Sequence, residues 1–448
     1  MKVSLALTIM LCAMTALSYG QLNIKFEKYV LPNGLQVILH EDHSTPIVAV
    51  NIWYHVGSAR EKPGRTGFAH LFEHMMFQGS LDVPKGGHFG SLQDAGGTLN
   101  GSTANDRTNY WENVPSQFLE LALYLESDRM GFLAPAMTQE KLDNQRDVVK
   151  NERRQSYDNR PYGRADETIA AMLYEPSHPY SWPVIGSMTD LSAASLDDVK
   201  EFFTLYYAPN NASLVIAGDF NPAQAKEWVE KYFGGLPRGK DVDKVAVNQP
   251  TKNAAKRQTM EDHVQLPRLY LTWHSTPQSG ADDATLDVLA DILAGGKNSR
   301  AYRSLVYEKQ IAQDVAAYQD SREVAGLFQV EITAKPGFTL VDIEKVIDAE
   351  IVKIQQSGVT ERELQRSKNS IKANFIYRLQ SVGGFGGKAD QLNRYNVMWG
   401  DPGSFNKDLA RYEKITAKEI QEAAQKYLTK ERVALSVVPE GKKDLEDK

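Results

Sequence analysis

The chain has 448 residues, of which 24% are charged and 9% aromatic, and its formal net charge is −6. That length exceeds one compact core, so two or more domains are expected. The apolar and aromatic content excludes a disordered chain, and the mild negative charge without a long basic run excludes a nucleic-acid partner.

In chain order, Met1-Lys2 is a short basic start, Val3 to Leu17 is almost unbroken apolar sequence, and Ser18-Tyr19-Gly20 places small residues at −3 and −1 of a cut before Gln21. Residues 1–20 therefore read as a secretory signal peptide, too short and wrongly flanked for a stable span. Cys12, the one cysteine, lies inside it. The mature chain would form no disulfide, and a zinc site in it must use histidine and carboxylate ligands. No later segment is apolar enough to span a membrane. The expectation is an exported protein, periplasmic or secreted, of a bacterium.

Phe26 to His40 reads as strand, turn, strand, with Asn33-Gly34 at the turn. Pro46 to Val56 is a second strand candidate. A glycine-rich loop is expected at Gly86-Gly87, and the segment from Gly96 to Tyr110 is rich in Thr, Asn and Gly. Helical patterns cover Ser116 to Met130, Thr138 to Tyr157 and Asn221 to Phe233, and Ala212 to Ala217 is an apolar strand. Residues 237–256 are polar and read as a linker between an N-terminal domain (21–236) and a C-terminal one (257–448). Beyond it come a strand (Arg268 to His274), an apolar helix (Ala281 to Ala294), a strand (Phe328 to Ala334), a helix (Val341 to Gln355) and a closing strand (Val433 to Val438).

His70-Leu71-Phe72-Glu73-His74 carries the chemistry. It spells H-x-x-E-H, and on a helix positions i, i+3 and i+4 share one face. Two imidazoles one turn apart can share a zinc ion, with a carboxylate beside it. Phe68, Ala69, Leu71, Phe72, Met75, Met76 and Phe77 make the helix apolar on nearly every side, as in a buried helix; Thr66-Gly67 and Gly79 read as its start and stop. The competing reading is a helix with two ordinary histidines and a solvated acid. Catalytic zinc takes three protein ligands, so carboxylates on later helices are the candidates. Glu152 lies in one such helical stretch, where, taken alone, a surface ion pair is the favoured role.

One local match points to a duplication of the first half in the second. Met137-Thr138-Gln139-Glu140-Lys141-Leu142 aligns with Val359-Thr360-Glu361-Arg362-Glu363-Leu364, which sets Glu152 against Asn374. Aligning Gly295 with Gly79 sets His70, Glu73 and His74 against Leu286, Leu289 and Ala290.

The sequence resembles the pitrilysin family, the inverzincins. The resemblance rests on the Leu31-Pro32-Asn33-Gly34-Leu35 hairpin, Gly67 through Met75, Gly79-Ser80, Leu99 through Thr103 with Thr108 and Tyr110, the helix Asn144 to Gln155, and Ala208 to Asn211. It covers residues 25 to 440. It implies an α+β fold of two homologous α/β half-domains, each a mainly antiparallel sheet packed with helices. It implies one zinc per chain held by His70, His74 and Glu152, and Glu73 as the base that takes a proton from the attacking water. It also implies that an extended peptide adds to an exposed edge strand, here Leu99, Asn100, Gly101 and Ser102. Asn100-Gly101-Ser102 is a glycosylation sequon, and sugar there would block this edge, in keeping with a bacterial origin. Two positions depart from the family. Gln145 stands where many members have a second glutamate. Val306 and Gln313 stand where many have an Arg and a Tyr that reach the substrate from the C-terminal half. The expected partners are therefore a peptide substrate and a homologous zinc-free chain supplying that pair, or a second copy of this chain. Competing classes are a non-catalytic structural or peptide-binding subunit and a metal carrier. The intact motif argues against the first and the base Glu73 against the second.

Overall fold

Asn33 closes the first turn. Its side-chain amide donates to the carbonyls of Phe233 (2.7 Å) and Leu236 (3.0 Å), and its Oδ1 accepts from the Leu35 N–H. The predicted hairpin is present as β1 (Glu27–Val30) and β2 (Gln36–Glu41), paired antiparallel. The computed structural model describes residues 24–245 and 255–445; the expected signal segment 1–20 and part of the expected linker, 246–254, lie outside the described residues.

The first sheet adds β3 (Ile47–Tyr54), β4 (Thr98–Thr103), β5 (Thr108–Pro115) and β6 (Ala212–Gly218), in the order β1-β2-β6-β3-β5-β4. The second contains β7 (Lys256–Asp262), β8 (Arg268–Ser275), β9 (Ala312–Ser321), β10 (Gly326–Ala334) and β11 (Val433–Pro439), in the order β7-β11-β8-β10-β9. Each sheet has one parallel pair, β2 with β6 and β7 with β11; the other pairs are antiparallel. The architecture is the expected α+β fold with two sheets, each packed with helices. β4 is a free edge in the first sheet, as β9 is in the second.

Successive side chains of a strand point to opposite faces, and both faces of the first sheet are used. Val48, Val50 and Ile52 join Leu71 and Phe72 in the core of their own half. Ala49, with Ile38, Val215 and Ala217, instead meets Ala389, Leu392 and Tyr395 of the helix Lys388–Trp399, which crosses from the second half. Asn393 ties that helix down by donating to the Asn51 carbonyl (2.9 Å) and Oδ1 (2.7 Å). The exchange is mutual: the helix Ala165–Leu173 of the first half puts Ala165 and Ile169 on Tyr270, Leu435 and Val437 of the second sheet. Burial of each larger aliphatic side chain stabilises by about 1.5–3 kcal/mol, so these crossings join the halves strongly. In the repeat register, Ala165–Leu173 falls opposite residues 387–395, the N-cap and first two turns of the other crossing helix.

The expected loop at Gly86-Gly87 is corrected. Gly86 is a left-handed cap, and Gly87–Asp94 is a helix held by buried His88 and Leu92. Tertiary burial there outweighs the poor helix propensity of Gly87 and Gly90. The stretch 96–110 resolves into β4 and β5, while β7 and β9 were not anticipated. Among the described residues, no helix is long and apolar enough to cross a membrane.

Candidate active site

The motif forms a short helix, Phe68–Met75, with Phe68, Ala69, Leu71, Phe72, Glu73 and Met75 buried. Phe72 packs on Tyr207 (ring centroids 4.2 Å apart) and Phe203 (5.4 Å). Gly67 precedes the helix at φ +86°, and a Cβ there would lie 2.6 Å from the Ile185 carbonyl oxygen. The N-terminal N–H groups are satisfied from a distance: Glu61 accepts from Gly67 N (3.0 Å), Ala69 N (2.8 Å) and the Trp182 indole (3.1 Å). A carboxylate at a helix N-terminus also suits the helix dipole, although burial pushes Glu61 up to about 8.

Glu152 arrives from the last turn of the helix Gln139–Arg153. That helix starts at Thr138, whose Oγ1 accepts from the Lys141 N–H. It is anchored at its end by Arg153, which donates to Glu167 (2.8 and 3.1 Å) and to the Gly186 carbonyl (2.8 Å). The fold thus brings His70, His74 and Glu152 together. The two Nε2 atoms are 3.3 Å apart, and Glu152 Oε2 is 3.7 Å from that of His70 and 3.4 Å from that of His74. A tetrahedral ion with bonds of about 2.0–2.1 Å separates its ligand atoms by about 3.3–3.4 Å. The donor set and its spacing therefore fit zinc. Burial, then the adjacent His74, hold His70 down to about 4, against the pull of Glu152; a neutral imidazole is the form that binds metal. The hydrogen bond from His74 lowers Glu152, against its burial.

Glu73 is buried beside this cluster and accepts from the Thr103 hydroxyl at 2.6 Å. Burial raises it above the ordinary carboxylate range, and the Thr103 bond, His74 and Arg107 oppose that shift. A carboxylate raised in this way is better matched to proton transfer near neutral pH. Gly101 stands opposite Tyr110 on β5, and a Cβ there would sit 3.0 Å from that ring and 3.1 Å from Glu73 Oε1. Asn100, Gly101, Ser102 and Thr103 line the cavity, of about 540 Å³, that also exposes His70, Glu73, His74 and Glu152. Leu99 does not line it; its side chain packs against the core. Gln145 is buried and lines the same cavity. Glu61, Arg107 and the bond from Thr103 to Glu73 escaped the sequence reading of the site, because no local spacing ties them to the motif.

A second buried group, His88, Glu112 and Glu126, also has donor atoms in metal-binding reach of one another. Arg129 already pairs with both carboxylates, at 3.3 Å for Glu112, and stacks over Tyr110 at 4.1 Å. Its guanidinium supplies the positive charge that a metal would bring.

The family model for "Insulinase (Peptidase family M16)" matches residues 36–178, and that for "Peptidase M16 inactive domain" matches residues 193–371. A zinc protease of Helicobacter pylori, PqqE, is 30% identical over 364 residues, 80% of this chain and 81% of that one. The chain belongs to the M16 peptidase family. A probable mitochondrial-processing peptidase subunit beta of Arabidopsis thaliana is 22% identical, over 91% of this chain and 77% of that one. The crystal structure of a protease from Helicobacter pylori superposes with a TM-score of 0.86 at 26% identity, covering 93% of this chain and 99% of that one.

The M16 fold also places the departures. Val306 is half-buried and packs against the second core, and Gln313 is exposed on the edge strand β9. Neither side chain is an Arg or Tyr donor. Leu286, Leu289 and Ala290, set against the motif residues, are buried in the second core.

Proposed function

We propose that this chain is a zinc-dependent metalloendopeptidase that hydrolyses short unfolded peptides. The observation that carries this reading is the meeting of His70, His74 and Glu152 at tetrahedral-edge distances, with the Glu73 carboxylate beside them and bonded to Thr103. Zinc held by these residues would supply a Lewis acid and a water made nucleophilic near neutral pH. Glu73 takes the proton from the attacking water and passes it to the leaving amine. Thr103 fixes the carboxylate that does so. The substrate strand pairs with the free edge of β4 along Leu99 to Ser102, where backbone bonds give affinity without reading sequence.

Val306 and Gln313 provide no donor for the oxyanion, and loss of one such donor costs on the order of 100-fold or more in rate. This favours a working unit in which a homologous zinc-free chain, or a second copy of this one, supplies donors to the site. The sequence of residues 1–20 supports export to a bacterial periplasm or to the medium.

The test is zinc analysis and peptide cleavage by the wild type and Glu73→Gln, with and without a chelator. Both proteins should carry about one zinc, and only the wild type should cleave. Equal cleavage by both sinks the role of Glu73, and no zinc in either sinks the site. If neither cleaves, addition of a co-purifying homologous chain should restore activity to the wild type alone.

A further inference from the structure

The edge strand β4 borders two cavities. Gly101 lies across from Tyr110 and Ile52, on the face carrying the motif helix, whereas Ser102 lies across from Asn109 and Trp53, on the opposite face. Ser102 lines both the cavity of the zinc ligands and a second groove of about 660 Å³. A peptide paired to β4 sends alternate side chains to the two faces. One set meets His70, Glu73 and His74; the other meets this groove.

The groove is lined by Ser102 and Arg107 from the first half and by Arg378, Phe385, Asp390 and Arg394 from the second. Two of its charges are committed. Arg107 donates to the Ser102 carbonyl (2.8 Å) and Asn109 Oδ1 (2.9 Å). Asp390 accepts from the Trp53 indole (2.8 Å), Asn109 (3.0 Å) and the Gly386 N–H (2.8 Å). Arg378 and Arg394 make no hydrogen bond or ion pair among the described residues.

Both arginines also line an adjoining cavity of about 370 Å³, and its carboxylates are likewise held by others. Asp287 accepts from the Tyr412 hydroxyl (2.6 Å), Asp320 from Arg322 (2.7 Å), and Asp408 from Tyr395 (2.7 Å) and Arg411 (2.7 Å). Burial pushes Asp287 up to about 7, which leaves it a weak counter-charge for Arg394. Two guanidinium groups thus face a groove beside the substrate edge with no hydrogen-bonded or ion-paired partner among the described residues. A planar guanidinium bonds carboxylates in bidentate fashion.

We propose that Arg378 and Arg394 form an anion-binding subsite that takes a peptide carboxylate carried on the face of the bound strand turned away from the zinc ligands. The carboxylate is that of an acidic side chain or the C-terminus of the peptide. The aromatic ring of Phe385, half-exposed and set on Trp111 at 5.5 Å, offers an apolar wall to the stem of that side chain. This subsite rests on the strand-addition reading above.

The test uses dansyl-labelled octapeptides carrying Glu, Gln or Lys at one position in turn, each with a free or an amidated C-terminus. Binding to the full-length, zinc-loaded Glu73→Gln chain, with any co-purifying partner, is followed by fluorescence anisotropy. Glu should bind about tenfold tighter than Gln at alternate positions, and Lys weaker than Gln, with the difference shrinking in salt. If amidation instead removes the gain, the terminal carboxylate is the ligand and the subsite stands. Arg378→Gln/Arg394→Gln should erase the preference, and Arg394→Lys should keep part of it. Arg378 is exposed, so Arg378→Gln alone reports on the subsite if the double variant folds poorly. Equal binding of all peptides, a preference that survives both substitutions, or no binding of any peptide overturns the proposal. A zinc-loaded wild type that cleaves none of the peptides, while Glu73→Gln still prefers Glu, overturns the peptidase reading and leaves the subsite.

Discussion

The two halves share a five-strand order: β2-β6-β3-β5-β4 in one and β7-β11-β8-β10-β9 in the other, each with its parallel pair in the same place. They share helix starts too, since Thr138 and Thr360 cap corresponding helices through the same hydroxyl bond to the third N–H. What differs is the filling of the corresponding helices. The first half places His70, Glu73 and His74 on a helix beside the open edge strand, with Glu152 facing them. The second places Leu286, Leu289 and Ala290 in a closed apolar core, with Asn374 opposite Glu152 in the repeat. The difference teaches that this scaffold is stable with or without polar ligands on that helix. Desolvating Glu73 is a cost that the first half carries at that position, because a buried carboxylate without a counter-charge is unfavourable; the second half has Leu289 there and instead carries Asp287 on the same helix, which burial pushes up to about 7.

The comparison can be broken at its chemistry first. Glu73→Gln should lower kcat by about 10²–10⁴-fold while zinc content stays near that of the wild type, measured by metal analysis beside peptide hydrolysis. Glu152→Asn copies the second half into the first and should strip stoichiometric zinc at micromolar protein; retained zinc would remove Glu152 from the ligand set. The reciprocal site should answer in stability alone. Leu289→Ala, in the second core, should cost about 2–5 kcal/mol in urea unfolding, with zinc binding unchanged.

Gly101→Ala probes the close approach between β4 and the base. Its Cβ would press on Glu73 and the Tyr110 ring, and small displacements of reacting groups lower rate steeply. A fall of about 10–100-fold in kcat/KM with normal zinc content is expected. The smallest effects sharpen the shared frame. Thr138→Ala and Thr360→Ala should each cost about 1 kcal/mol. The loss should be larger at Thr360, where Glu363 completes a capping box that Lys141 cannot. Glu363 also pairs with Arg300 and is held down to about 2, first by that hydrogen bond. Its folded value is depressed, so its contribution is present above the ordinary carboxylate range and is lost as pH falls through about 2. Glu363→Gln should therefore destabilise at neutral pH by about 1 kcal/mol, with the gap closing in acid unfolding series.

Much of the fold followed from local pattern. The Asn33-Gly34 turn, the apolar run of β3 and the Thr138 and Thr360 starts each encode their element within a few residues. Others were invisible because their cause is remote. Gly87–Asp94 is helical through burial of His88 and Leu92, and β9 alternates too weakly to announce an edge strand. The crossing helices have no sequence mark beyond small residues such as Ala165 and Ala389, since what they meet lies in the other half. At the site, the spacing of His70, Glu73 and His74 was legible because one helical turn alone fixes it. Glu152 was one candidate carboxylate among others until the resemblance singled it out as the ligand, because no spacing rule spans two helices.

By itself the sequence determined which residues can bind and move protons, since residue type and helical period set donor chemistry and face. Only the tertiary structure decided what surrounds them. Glu61 caps the motif helix from outside it, Thr103 reaches Glu73 from the edge strand, and Arg378 and Arg394 face the groove beyond Ser102 with no hydrogen bond or ion pair among the described residues. Each of these depends on segments far apart in the chain, and the packing of two sheets and their exchanged helices is what brings those segments together.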